Sequence, residues 1–457
     1  MAGLRTGWRL AAGVLALMAG VVGCQGTSPE ADSAVLITID TWRSDSFGAG
    51  GHPELRTPHL DRFFRGGVQF SQAFSPIPTT LASHASLLTG AWPTEHGVPR
   101  NVWTVPGDLV TLPEALHDHG FTSAAFISSA VLERGTNIGQ GFDEFDDAIA
   151  EDASADSWRP ASETLPRARR WWNETGGRRF LWVHLFEPHL PYRPTPEWAA
   201  VYDTGSGMEP TASVERLRSM WLDKDQFTSP VREHLVSLYQ AEISGLDRQL
   251  GGFLRDLARE DRVAVVVAAD HGESLGEHNL FFKHGPKVFP ADTQIPLLLR
   301  SAAVGRGVSS SLVRTIDVPG AILSLLDVPA DLPPDADNLR DWTTSRGGLT
   351  VFGIASAPHD APPEILQEDG YANARMPRVI RRGDQAFLET PWQNRRVWFD
   401  RATDPGERSA RRVDDAAAIP EMRAELDAWI SEARVTESAL QLDPALEERM
   451  RALGYLN

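Results

Sequence analysis

One cysteine, Cys24, stands in 457 residues. The chain beyond it therefore has no disulfide, no thiol nucleophile and no cysteine metal ligand. Positive charge is also scarce: 44 lysines and arginines face 62 aspartates and glutamates, a formal net charge of −18. That balance argues against nucleic acid as a partner and against electrostatic docking on anionic membranes. Internal repeats and low-complexity segments are absent, and so is a multi-helix membrane domain. A hydrophobic fraction of 42% nevertheless describes a folded globular protein. The length suits one large domain with a smaller one, or two of medium size.

Residues 1–24 stand apart from the fold. Arg5 and Arg9 form a basic start, and residues 10–23 are an apolar run too short to span a bilayer comfortably. The run ends Val21-Val-Gly-Cys24, which resembles a bacterial lipoprotein signal whose cleavage leaves Cys24 as the lipidated N-terminus. Gln25 follows, a residue that points to the outer membrane of a Gram-negative bacterium. Residues 25–33 read as a polar tether. The expected product is an extracytoplasmic protein held to a membrane by its N-terminal lipid.

Residues 34–39 (Ala-Val-Leu-Ile-Thr-Ile) are a continuous β-branched run, the pattern of a strand buried on both faces of a parallel sheet. Further strands are expected at 124–128, 180–186, 263–269 and 295–300, with helical patterns at 112–119, 167–172 and 231–257. The alternation predicts an α/β domain over 34–340 with a mostly parallel sheet flanked by helices. Ligands of such sheets bind at the carboxyl ends of the strands. Polar sequence from Pro333 and an expected break near Arg346-Gly-Gly348 are followed by a smaller α+β subdomain over 345–457. Its expected strands are 349–354, 378–380 and 397–399, with a helix at 421–433.

Two strands end in acids: Ile39-Asp40, and 263–269 followed by Asp270-His-Gly-Glu273. A carboxylate at a buried strand end costs desolvation energy unless a cation compensates it. Asp40, Asp270 and His271 can converge on one divalent metal through oxygen and imidazole ligands. Residues 79–90 (Thr-Thr-Leu-Ala-Ser-His-Ala-Ser-Leu-Leu-Thr-Gly) follow a turn and become helical from about Ser83. Thr79 and Thr80 stand at that helix start, where free N–H groups favour an anion. Two roles suit them: capping the helix, or attacking a bound ester.

Together these residues resemble the sulfatase family of the alkaline phosphatase superfamily, and the likeness runs along nearly the whole mature chain. Its markers are Ile37-Thr-Ile-Asp-Thr-Trp-Arg-Ser-Asp45, Thr57-Pro-His-Leu-Asp61, residues 80–90, Leu185-Phe-Glu-Pro-His-Leu-Pro-Tyr192, Ala269-Asp-His-Gly-Glu-Ser-Leu-Gly-Glu-His278 and Val397-Trp-Phe-Asp-Arg-Ala-Thr-Asp-Pro-Gly-Glu407. The sequence also departs from the family. Formylglycine-dependent sulfatases carry Cys or Ser in a C/S-x-P-x-R motif; the aligned residues here are Thr80, Ala82 and His84, and threonine cannot give the aldehyde. Thr41 replaces the second acid of the usual Asp-Asp pair, and Ser128-Ser-Ala130 stands where a Lys-Trp-His element is expected. The surviving set Asp40, Thr80, Asp270 and His271 is similar to that of relatives with a threonine nucleophile.

The resemblance implies a metal-dependent hydrolase of sulfate or phosphate (di)esters, without formylglycine. Thr80 is the implied nucleophile and a metal ligand beside Asp40, Asp270 and His271. The implied cofactor is one divalent ion (Ca, Mn, Mg or Zn), with room left open for a second. His189, held by Pro188 and Pro191, is the implied donor to the leaving group. Asn101, 21 positions beyond Thr80 (101 − 80), matches a phosphoryl-holding Asn of the phosphodiesterase branch, against a plain loop role. Lys283 and His284 fall near the family's late substrate-binding residue, and His84 either touches substrate or braces the helix. Glu273, Glu277 and His278 read as structural, and His184 as core. A small-molecule, lipid-headgroup or glycan ester is the expected substrate, with the lost Lys-Trp-His element favouring a monoanionic one. The alternatives are a phospho-alcohol transferase of the same superfamily and an inactive membrane-anchored binding module.

Overall fold

Every residue of Ser33–Ile39 (β1) is buried, and this strand is the axis of the protein. The structure, a computed structural model, describes residues 31–149, 158–329, 333, 349–356, 376–411, 419–434 and 444–452. The leader with Cys24, most of the tether and the expected break near Arg346 lie outside them. β1 is joined in the main sheet by β2 (Val68–Phe74), β3 (Thr122–Phe126), β4 (Glu144–Asp146), β5 (Arg179–Leu185) and β6 (Val263–Ala269). A separate short ribbon follows, β7 (Ser274–Leu275) with β8 (Phe281–Lys283). β9 (Gln294–Ile295), β10 (Leu297–Arg300) and β11 (Gly307–Arg314) complete the main sheet, whose order is β11-β2-β10-β6-β1-β5-β3-β4 with β9 on β2.

β1 lies between β5 and β6 and runs parallel to both. Its apolar run, like Val-Ala-Val-Val-Val-Ala-Ala in β6, is continuous because helices cover both faces of the sheet. Ile39 is in register with Leu185 and Ala269, so Asp40 and Asp270 leave adjacent strand ends, about 5 Å apart by strand spacing. Pro296, which lacks an N–H, divides the strand expected at 295–300 into β9 and β10. β10 then runs antiparallel between β6 and β2 in an otherwise mostly parallel sheet.

Thr38, Asp40 and His184 share one face of the sheet, since Thr38 and His184 are paired and side chains alternate along a strand. The helix Thr80–Thr89 packs on that face and is buried along its whole length. Ala82, Ser83, Ala85 and Ser86 are small enough to let it approach the strands closely. It begins at Thr80, earlier than the expected Ser83, and stops at Gly90, whose φ of 73° is the left-handed conformation glycine adopts without strain.

The C-terminal region is an antiparallel meander, β12 (Thr350–Ile354), β13 (Arg378–Arg382), β14 (Gln385–Thr390) and β15 (Arg395–Asp400), covered by the helix Ile419–Ser431. Ile354, Ile380 and Phe387 belong to the same apolar cluster as β1 and β6, so the two sheets share a core. Phe352 stacks on Trp429 at 4.9 Å, and Trp92 of the main body closes against Trp429 at 5.8 Å.

Candidate active site

Asp40, Asp270 and His271 bring one potential ligand atom each to within 4.8 Å of one another, all fully buried. Register brings the two acids together. The turn after β1 completes the arrangement. Thr41 has a φ of 53°, a strained conformation for a β-branched residue. Its N–H donates to Asp270 Oδ1 at 3.2 Å, and Tyr239 Oη donates to its carbonyl at 2.8 Å. Asp270 Oδ1 also accepts the His271 N–H at 2.8 Å. Both Asp40 oxygens and Asp270 Oδ2 are buried without a hydrogen-bond partner.

His271 Nδ1–H donates to the Gly272 carbonyl at 3.0 Å, which leaves the lone pair on Nε2. Nε2 lies 3.4 Å from Asp270 Oδ2, 3.8 Å from Asp40 Oδ1 and 3.4 Å from Thr80 Oγ1. Burial pushes the Asp40 carboxyl up to about 7, against the pull of His271. Burial and the neighbouring Asp40 raise Asp270 as well. Two orphaned carboxylates and a lone pair converging in a dry site are the donor set a divalent cation requires. The residues fit one such ion.

Thr80 Oγ1 is thus beside the candidate metal site at the first turn of its helix. Asn101 Oδ1 accepts the Leu81 N–H at 2.9 Å, satisfying one of that turn's free donors. Because the carbonyl oxygen is committed there, the Asn101 NH₂ is the part of the side chain left to donate. His84 braces the helix: Nδ1–H donates to the Thr80 carbonyl at 2.7 Å, and Nε2 accepts from Thr38 Oγ1 at 3.0 Å. Trp182 Nε1–H in turn donates to Thr38 Oγ1 at 3.0 Å. Burial holds the His84 ring neutral, down to about 3.

His189, His284 and His271 form a row, with ring centres 5.1 Å and 4.4 Å apart. His189 Nδ1–H donates to the Leu190 carbonyl, and burial and His284 hold the ring well below the usual imidazole range. His284 Nδ1 lies 3.3 Å from Glu273 Oε1, a carboxyl that burial pushes up to about 8. Glu273, expected as structural, therefore supports a site histidine. Lys283 points its ammonium over Trp221, 4.1 Å from the ring centre, and burial lowers it to about 8.

His184 is in the strand and the core, as expected, but it also reaches the candidate site. Its Nε2 is 3.6 Å from Asp40 Oδ2, and both of its ring nitrogens are buried without a hydrogen-bond partner. The signal was available: alternation puts His184 on the face of Thr38 once the β1–β5 register is known.

A family description, Sulfatase, matches residues 33–328. The ulvan-active sulfatase of Formosa agariphila is 24% identical, over 83% of this chain and 77% of that protein. A protein solved with D-glucosamine-2-N,6-O-disulfate superposes with a TM-score of 0.68 at 16% identity, covering 89% of this chain and 98% of that one. The phosphonate monoester hydrolase of Agrobacterium radiobacter superposes with a TM-score of 0.66 at 18% identity, covering 88% and 95%. With the matched region spanning the whole site, from β1 through Asp270 and His271 to the helix after β11, the chain belongs to the sulfatase family.

Proposed function

We propose that the protein is a metal-dependent hydrolase of sulfate or phosphate (di)esters in which Thr80 is the nucleophile. Family membership supports the ester class. The observation that carries the threonine is its position: Oγ1 is 3.4 Å from His271 Nε2, at the mouth of a helix and beside carboxylate oxygens that no protein group satisfies. Asp40, Asp270 and His271 would hold the ion. When bound, a divalent cation lowers the pKa of a neighbouring hydroxyl and offsets charge on the ester oxygens.

Thr80 Oγ1, its hydroxyl proton released to solvent, attacks sulfur or phosphorus as the bond to the leaving alcohol breaks. The Asn101 NH₂ donates to an equatorial oxygen, where charge is spread during transfer. His189 keeps one proton on Nδ1 through the Leu190 carbonyl, so Nε2 is the atom that delivers a proton to the leaving oxygen. Burial opposes the charged ring that this step needs, and the bound anion offsets that cost. Water then releases the threonine ester. The relatives named above suggest a sulfated glycan or a phosphonate-like ester as substrate class; the lipoprotein-like leader ending at Cys24 is the reason to place the reaction outside the cytoplasm.

The test is turnover of p-nitrophenyl sulfate, phosphate, bis-phosphate and phenylphosphonate with added Mn²⁺, Zn²⁺ or Ca²⁺, in the wild type and in Thr80→Ala. Metal-dependent turnover lost in Thr80→Ala is the expected result. Equal activity in both proteins sinks the nucleophile assignment. Inactivity in both with metal still bound favours a binding module.

A further inference from the structure

Five arginines, Arg62, Arg65, Arg255, Arg300 and Arg306, line one pocket of about 350 Å³ together with His59. In a chain of net charge −18 this concentration is unexpected. Among the described residues no acidic side chain lines the pocket. The nearby acids are engaged elsewhere: Asp247 accepts the N–H groups of His59 and Leu60, Asp61 the N–H of Ala49 and the hydroxyl of Thr57, and Asp256 pairs with Arg169. Among the described residues none of Arg62, Arg65, Arg255 and Arg306 has an ion-pair partner.

The pocket is built into the fold by two glycines. A Cβ on Gly66 would stand 1.7 Å from Arg300 Nη1, and one on Gly251 would stand 2.6 Å from the His59 ring. Gly251 lies inside the helix Ser229–Leu257, where glycine costs about 1 kcal/mol relative to alanine. That cost is offset by the close approach of His59. Arg300 is further held over Phe63, 5.2 Å from the ring centre. Burial, with Arg255 and Arg62 adding like charge, keeps His59 below its usual imidazole value.

Its location separates it from the candidate active site. Arg300 is in register with Val265, five residues before Asp270 on β6, so the pocket opens at the opposite end of the sheet, roughly 16 Å away along the strand. β1 starts at that same end, two strands across, about 10 Å from Arg300. Residues 31–32 precede it there, with the Ala31 N–H donating to the Leu325 carbonyl and Asp32 paired with Arg262.

We propose that this pocket is an oxyanion site that binds a phosphate or sulfate group, distinct from the site that hydrolyses one. Planar guanidinium groups without carboxylate partners pair bidentately with tetrahedral oxyanions. The group comes either from a free anion or from the headgroup of an anionic phospholipid, and the experiment separates the two.

Full-length protein in neutral detergent is titrated calorimetrically with inorganic phosphate and with sulfate. It is also floated with vesicles of phosphatidylcholine with or without phosphatidylglycerol. The variant is Arg62→Gln with Arg255→Gln, two exposed side chains whose loss leaves packing intact. The expected result is a binding event in the wild type that weakens tenfold or more in the variant, while p-nitrophenyl ester turnover is unchanged. Loss of the inorganic-anion isotherm identifies a soluble ligand; loss of flotation on phosphatidylglycerol alone identifies a headgroup. Identical isotherms and identical flotation in wild type and variant overturn the proposal. Arg300→Lys, which keeps charge but not the fork, weakens binding less than the double variant if the group is held bidentately.

Discussion

Two regions bury charge, and they treat it in opposite ways. In the C-terminal sheet Arg381 and Glu407 are both fully buried and face each other, with Nε to Oε1 at 2.6 Å and Nη2 to Oε2 at 2.9 Å. Arg381 Nη2 also donates to the Val288 carbonyl at 2.6 Å, tying the small sheet to the large one. At the carboxyl ends of β1 and β6, Asp40 and Asp270 are as deeply buried, yet three of their four oxygens have no partner. A buried charge that is paired holds the structure together. One that is left uncompensated must hold a proton or a cation, and such a group is a candidate for the site of chemistry.

The largest expected effect comes from removing a carboxylate at the site. Asp270→Asn lowers metal-dependent kcat by roughly 1,000-fold or more, while the metal-free protein gains about 1 kcal/mol because one of two like buried charges is gone. Steady-state kinetics and urea unfolding in EDTA measure the two halves. A variant that loses activity and stability together would break the contrast with the C-terminal pair.

Arg381→Met is the converse experiment. It leaves the buried Glu407 with Arg401 alone, Nε to Oε1 at 3.5 Å, and costs up to about 3–5 kcal/mol, read as a lower urea midpoint with and without metal. Activity per folded molecule stays near that of the wild type.

The contrast also has a pH signature. The Asp40 carboxyl ionises near 3.8 in the unfolded chain and about 7 in the folded one. Between those values the native state holds a proton that the unfolded state has released. The group's contribution to stability is thus complete below the lower value and lost as pH rises through the upper one. The metal-free protein is expected to lose up to about 1.4 kcal/mol per pH unit across this window. Saturating divalent ion or Asp40→Asn should flatten the slope; an unchanged slope in Asp40→Asn assigns it to other groups.

The smallest effect is at Asn101. Asn101→Ala removes the acceptor for the Leu81 N–H and costs about 1 kcal/mol of stability. If its NH₂ also holds the ester, kcat falls roughly 10- to 100-fold more than the stability change explains. Asn101→Asp, which keeps the acceptor and loses the donors, separates the two roles.

Much of the main sheet was legible in the sequence. β1 and β6 are unbroken apolar runs because both of their faces are covered, and β6 has the bounds its sequence suggests. β2 and β11 were not foreseen. Gln, Ser and Gly interrupt their patterns, since β11 is the edge strand and β2 is half-exposed beside it. β14 went unnoticed because Gln-Ala-Phe-Leu-Glu-Thr has no β-branched run, and its strand identity comes from the partners on either side. The site shows the same division. Asp40, Asp270 and His271 stood out as polar residues ending apolar strands. His184, Glu273 and the arginine pocket did not. A net charge argues only about the average surface, and the pocket gathers residues from two helices and the loops around β10 that are distant in the chain.

What the sequence by itself determined is the set of chemical groups: no thiol beyond Cys24, a pair of threonines at a helix start, and acids placed at the ends of strands. Local pattern is enough for this, because side-chain chemistry and strand periodicity are properties of neighbouring residues. Only the tertiary structure decided which groups meet and in what state. Register set Asp40 beside Asp270, alternation turned His184 toward Asp40, and burial withheld hydrogen-bond partners from the carboxylates and kept His84 neutral. Distance, dielectric and the absence of water are properties of the packed whole, and they set a carboxyl's affinity for its proton or for a cation.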